Sequence, residues 1–205
     1  MEPFFHGIIL ALGLILPLGV QNIFVFNQGA AHKKLRKALP VIITASICDT
    51  LLIGMAVSGV SIIVFSFEWL RNMLFTIGIL FLIYMGWGMW RTKTQGDQQP
   101  SRAFSTRQQI TFAASVSLLN PHAIMDTIGV IGTSSLVYTG FGKWVFALAC
   151  IGVSWIWFFS LAFAGGKIGL VDRNGHLLNR INQISAIIIW GMAIYMGYQF
   201  FIYSS

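Results

Sequence analysis

Residues 39–65 read LPVIITASICDTLLIGMAVSGVSIIVF, a run whose one charged residue is Asp49. A bilayer's hydrocarbon core is ~30 Å thick and takes about 20 helical residues at 1.5 Å each. This run is therefore long enough to cross it. Five more runs of the same kind lie at about 4–26, 70–90, 110–136, 144–165 and 184–203. The chain has 205 residues, 56% hydrophobic and 9% charged, whereas a soluble domain carries roughly 25% charged residues. So few charges cannot cover a water-facing surface, and the solvent of these runs is lipid. The expectation is an all-α membrane protein of six transmembrane helices forming one domain over 1–205.

The basic residues set the expected topology. Lys33, Lys34, Arg36 and Lys37 lie between spans 1 and 2, and Arg91, Lys93, Arg102 and Arg107 between spans 3 and 4. Lys167, Arg173 and Arg180 lie between spans 5 and 6, which leaves only Arg71 and Lys143 for the opposite side. Cytoplasmic loops are enriched in Lys and Arg, so these three loops are expected inside and both termini outside. A five-span arrangement would scatter the charges over both faces. The net charge of +7 then reflects topology and does not call for a nucleic-acid partner. The first run follows Met-Glu-Pro without a basic leader and is longer than a signal peptide's apolar segment; it reads as a retained helix.

The polar stretch at about 92–109 separates two similar halves, about 1–91 and 110–205. Ile83-Tyr84-Met85-Gly86 recurs as Ile194-Tyr195-Met196-Gly197, each followed by an aromatic, and spans 1 and 4 each carry a midspan proline, Pro17 and Pro121. A unit of three crossings enters the membrane upside down on repetition, so the expected plan is a 3+3 inverted repeat. Secondary transporters built this way place substrate at the midplane, beside interrupted helices.

Four of the six acids, Glu2, Glu68, Asp97 and Asp172, fall in tails or loops; Asp49 and Asp126 fall inside spans. Counted from the start of its run, Asp49 is about 15 Å deep. A carboxylate there costs at least ~2.5–3.5 kcal/mol on insertion scales and normally faces a cavity or the bundle interior. No Lys or Arg lies at that depth, so each acid must hold a proton or await a visiting cation. The prolines remove helix hydrogen bonds, and the freed groups must line protein or water. Breaks are expected at Pro17, with Gly19, and at Pro121, with Gln21, Asn22 and Asn120 as polar neighbours able to bind substrate. His122 shares a helix face with Asp126 and is either a proton relay or a histidine satisfied by a carbonyl. Asp49, Asp126 and His122 are the proton-coupling candidates.

Other features read as structure. Asn27 and Gln28 stand where a helix would end at Gly29. Cys48 and Cys150 are small buried residues. Trp69, Trp87, Trp90, Trp144 and Tyr203 are interface anchors, and Gly54/Ser58 and Gly165/Gly169 have the spacing of close helix packing. There is no phosphate-binding glycine loop, serine elbow or paired-histidine zinc signature, so neither an enzyme nor a cofactor nor a resident metal is expected.

LPLGVQNIFVFNQG at 16–29, ASICDTLL at 45–52 and LNPHAIMDTIGVIG at 119–132 together resemble the signature stretches of the lysine exporter family, in its basic amino-acid branch. The likeness covers nearly the whole chain. It implies a secondary exporter of lysine or arginine in a bacterial inner membrane. Moving a cation outward against a negative-inside potential needs inward protons or a large substrate gradient, and proton antiport is the expected coupling. Gln21-Asn22, His122 and Asp126 match the basic branch better than relatives that export neutral amino acids. Val20 stands where the branch commonly has a second proline, which implies a gentler break. Two other readings are efflux of a divalent or heavy metal through Cys48, Asp49, His122 and Asp126, and a non-transporting membrane subunit. The sequence allows a homo-oligomer without indicating one.

Overall fold

The computed structural model describes residues 1–16, 19–32, 34–59, 68–91, 103–120, 123–124, 127–172 and 176–204. Among them there are helices and no strands. They are α1 (Glu2–Ile15), α2 (Val20–His32), α3 (Leu35–Ser58), α4 (Glu68–Arg91), α5 (Thr106–Leu118), a π-helical turn (Thr127–Gly132) continued by a short helical turn at Thr133–Ser135, α6 (Gly140–Val171) and α7 (His176–Ser204). Two of these, α3 and α6, are each long and apolar enough to cross a membrane, and the pair α1 and α2 qualifies as one bent span. Large apolar side chains such as Ile9, Leu51, Leu80, Leu148 and Ile156 face outward, while Asn22, Ser46, Gln109, Ser117 and Ser154 are buried. That polarity is the reverse of a water-soluble domain and suits a lipid environment.

The helix limits follow local chemistry more closely than the apolar runs do. The second run stays apolar to residue 65, yet α3 ends at Ser58 because Gly59 adopts φ 79°, a left-handed cap that glycine takes without steric cost. α2 continues past Gly29 to His32, so Asn27 and Gln28 lie within a helix and not at its end. α1 and α2 meet at 79°, a sharp bend despite the valine at position 20. Pro17 lies outside the described residues, between the two helices.

α6 is the central post, packed on α1, α2 and α3; α4 pairs with α7, and α3 also packs on α5 and the π-helical turn. Glycine makes the α2–α6 crossing close. A Cβ on Gly29 would overlap the Ala162 carbonyl, one on Gly165 the Phe26 carbonyl, and one on Gly169 the Ala30 carbonyl. The Gly165/Gly169 pair thus seats α2. The Gly54/Ser58 pair has no such role: a Cβ on Gly54 meets no described atom within 4 Å, and the exposed Ser58 hydroxyl donates to the Gly54 carbonyl at 2.6 Å.

Two apolar clusters occupy the interior. One gathers Val20, Phe24, Val41, Ala113, Val116 and Phe158, with Phe104 and Phe112 against it. The other gathers Ala11, Ile53, Val57, Ile131, Phe146 and Cys150. At the far side of the first, Pro40 opens the start of α3. The Val41 N–H and Lys37 carbonyl, four apart in the chain, are both held by the buried Gln109 side chain. Val41 N–H donates to its Oε1 at 3.3 Å, and its Nε2 donates to Lys37 O at 3.0 Å. The same nitrogen lies 2.9 Å from Phe104 O and 2.8 Å from His32 Nε2, while Gln28 Oε1 accepts from Phe104 N–H at 3.2 Å. These bonds bring the 28–37 corner and the 103–109 segment to one end of the bundle. At the other end, the His6 ring meets the Tyr138 hydroxyl at 2.8 Å. Gln109→Leu takes this amide from the buried Val41 N–H and from the part-buried Lys37 and Phe104 carbonyls; a stranded buried group costs about 1–3 kcal/mol, so the variant should lower the melting temperature in detergent by roughly 5–10 °C. An unchanged melting curve would show that water replaces the amide at no cost.

Candidate functional site: a cavity around Asp49 at the helix break

Between the two apolar clusters lies a cavity of about 420 Å³, walled by Gly13–Ile15 of α1, Gly19–Asn22 at the start of α2, Asp49 and Ile53 of α3, and Asn120, Thr127, Ser154 and Phe158 among others. Sites for small ligands commonly run from ~300 to 1,000 Å³. The turn between α1 and α2 contributes backbone as well as side chains. The first hydrogen bond of α2 runs from Ile23 N–H to Gly19 O at 3.1 Å, so the positive end of this helix opens on the cavity. The Asn22 side chain donates to the Ile15 carbonyl at 2.7 Å, tying the start of α2 to the end of α1.

Asp49 sits within a turn of the middle of α3 and faces this space. Gln21 Nε2 donates to its Oδ1 at 3.1 Å, and Ser154 Oγ donates to its Oδ2 at 2.9 Å. Both partners are neutral, one from α2 and one from α6. They satisfy one lone pair on each oxygen and leave the acid's charge uncompensated. Below Asp49 on the same helix, Thr50 accepts from the Trp155 indole at 3.1 Å. Asn120 ends the α5 segment at the cavity wall, and its side-chain amide oxygen is buried with no hydrogen-bond partner among the described residues.

The structure therefore gathers Gly19, Gln21, Asn22, Asp49 and Asn120 around one cavity. Pro17, Pro121, His122 and Asp126 lie outside the described residues. Cys48 is buried and does not line the cavity, and among the described residues no three His, Cys, Asp or Glu side chains cluster as metal ligands would. Ser154 was not anticipated. The 144–165 run holds two hydroxyls, Ser154 and Ser160, and only the packing of α6 on α3 selects the first.

Apolar-faced helices around a half-open cavity that holds a carboxylate beside a helix break have the build of a membrane translocator. The chain belongs to the LysE type translocator family, whose family model matches residues 12–200. It is 53% identical to YisU of Bacillus subtilis (strain 168), over 98% of this chain and 91% of that protein. It is 30% identical to the arginine exporter protein ArgO of Serratia proteamaculans (strain 568), over 96% of both chains. To ArgO of Pectobacterium carotovorum subsp. carotovorum (strain PC1) it is 29% identical, over 95% of this chain and 96% of that one. No solved structure matches.

Proposed function

We propose that this translocator exports basic amino acids, lysine or arginine, across the bacterial inner membrane in exchange for protons. The observation that carries the reading is Asp49, an acid with neutral partners in a cavity that also receives the positive end of α2. A basic amino acid presents complementary charges. Its carboxylate suits the α2 N-terminus and the amides of Asn22 and Asn120; its cationic groups suit Asp49, with Asp126 as second acid, and such pairing is strong away from water. YisU is named for amino-acid transport, and the ArgO relatives are named arginine exporters.

The packing supports a 3+3 inverted repeat of six spans, with spans 1 and 4 interrupted at Pro17 and Pro121. Exchanging the halves turns the contact of α1 and α2 with α6 into that of α5 and the π-helical turn with α3, and it returns the α3–α6 and α4–α7 contacts to themselves. The recurrent Ile-Tyr-Met-Gly motif takes part, with Gly86 seated against the Trp190 ring. The apolar clusters on either side of the cavity suit alternating access, each serving as one gate. Lys34, Lys37 and Arg107 belong to the end fastened by Gln109, in keeping with cytoplasmic basic loops and external termini.

Exporting a cation against a negative-inside potential costs about 2.3 kcal/mol per charge per 100 mV, and inward protons taken up by Asp49 or Asp126, relayed by His122, would offset it. In proteoliposomes loaded with labelled arginine, acidifying the receiving side should speed efflux, each pH unit supporting about a tenfold arginine gradient per coupled proton. Efflux indifferent to the pH gradient would rule out antiport. Efflux of neutral amino acids but not arginine would rule out the basic substrate.

A further inference from the structure

Hydroxyl side chains in apolar helices usually satisfy themselves on the carbonyl four residues back. This chain follows that habit: Thr50 donates to Ser46 O at 2.7 Å, Ser117 to Ala113 O at 2.9 Å, Thr127 to Ala123 O at 2.8 Å and Ser160 to Ile156 O at 2.7 Å. Ser154 departs from it. Nearly fully buried and on the same helix as Ser160, it gives its one proton across the cavity wall to Asp49 Oδ2. Gln21 takes the other oxygen from the opposite side, so the carboxylate is held between α2 and α6 while carried by α3. Two donors at its two ends fix its plane and direct the remaining lone pairs toward the cavity.

We propose that Ser154 is a positioning residue for the cationic end of the cargo: its hydroxyl holds the Asp49 carboxylate in the orientation that receives an ammonium or guanidinium group. The inference rests on the export reading above and extends it to a residue on α6. A group that orients an acid without touching the moving solute affects affinity more than turnover. Alanine keeps the helix intact at this position, having the highest helix propensity.

The experiment compares arginine efflux kinetics of the full chain in proteoliposomes for Ser154→Ala, Ser154→Thr, Asp49→Asn and the Asp49→Asn/Ser154→Ala double variant. Ser154→Ala should raise KM about tenfold with kcat within about twofold. Ser154→Thr, which restores the hydroxyl, should recover most of the loss. In the Asp49→Asn background the alanine should add nothing, because the group it acts through is gone. Equal losses in both backgrounds would reveal a packing role and overturn the proposal. Wild-type KM in Ser154→Ala alongside a loss in Asp49→Asn would overturn it while sparing the export reading. Undiminished transport by Asp49→Asn would overturn both.

Discussion

Asp49→Asn is expected to reduce kcat/KM for arginine efflux by about 10- to 100-fold, as a charged hydrogen-bonded contact worth ~1.5–3 kcal/mol would do when lost. The substitution keeps the shape of the side chain; its one oxygen can accept from Ser154, and the Gln21 amide can turn its own oxygen to the new NH2 group, so the protein should remain folded and its melting temperature should change little. What disappears is the negative charge. Neutral amino acids of similar size, if carried at all, should be affected far less, since they bring one cationic group where arginine brings two. Measuring both solutes in the same vesicles separates loss of charge recognition from loss of transport as such. Equal effects on both would mean that Asp49 serves the transport cycle without selecting the cargo.

The second large effect is expected on folding. Gly29→Leu puts a Cβ and a branched side chain where the Ala162 carbonyl lies, and backbone cannot move aside as a side-chain tip can. Overpacking a fitted contact typically costs 1–3 kcal/mol, occasionally more; here, with backbone on both sides, the upper end or beyond it is expected. The fraction of protein recovered as a monodisperse peak in mild detergent should fall steeply, and Gly165→Leu should match it because it strikes the same crossing from the other helix. Gly54→Ala, with no described atom near its Cβ, should behave as wild type. Normal yield of both leucine variants would mean that α2 and α6 pack differently.

Much of this was legible beforehand. Long apolar runs allow little but helices in lipid, because each backbone polar group must be satisfied within its own segment. The acid at mid-depth and the amides beside a glycine–proline turn marked the cavity wall, since an unneutralised charge has few places to go. What escaped notice depended on partners distant in sequence. Gly29 looked like a helix stop, yet its lack of a side chain serves the approach of Ala162. Gly54 and Ser58 had the right spacing, but no described atom lies close to a Cβ on Gly54. Asp49's donors could not be chosen in advance from many serines and glutamines, because the pairing of Ser154 with Asp49 depends on how α3 and α6 are rotated about their axes. The π-helical turn at 127–132, TIGVIG, has no distinguishing residue, and only its packing against α3 reveals it.

The Gln109 amide reaches across from α5 and grips the first turns of α3 at two points, the Val41 N–H and the Lys37 carbonyl. If α5 withdraws, both lose that partner together. Parting these helices therefore requires water to follow immediately and to bind both groups. Separation, wetting and loosening of the first turns of α3 become a single event, so this end of the protein is either dry and rigid or wet and pliant, with no cheap intermediate.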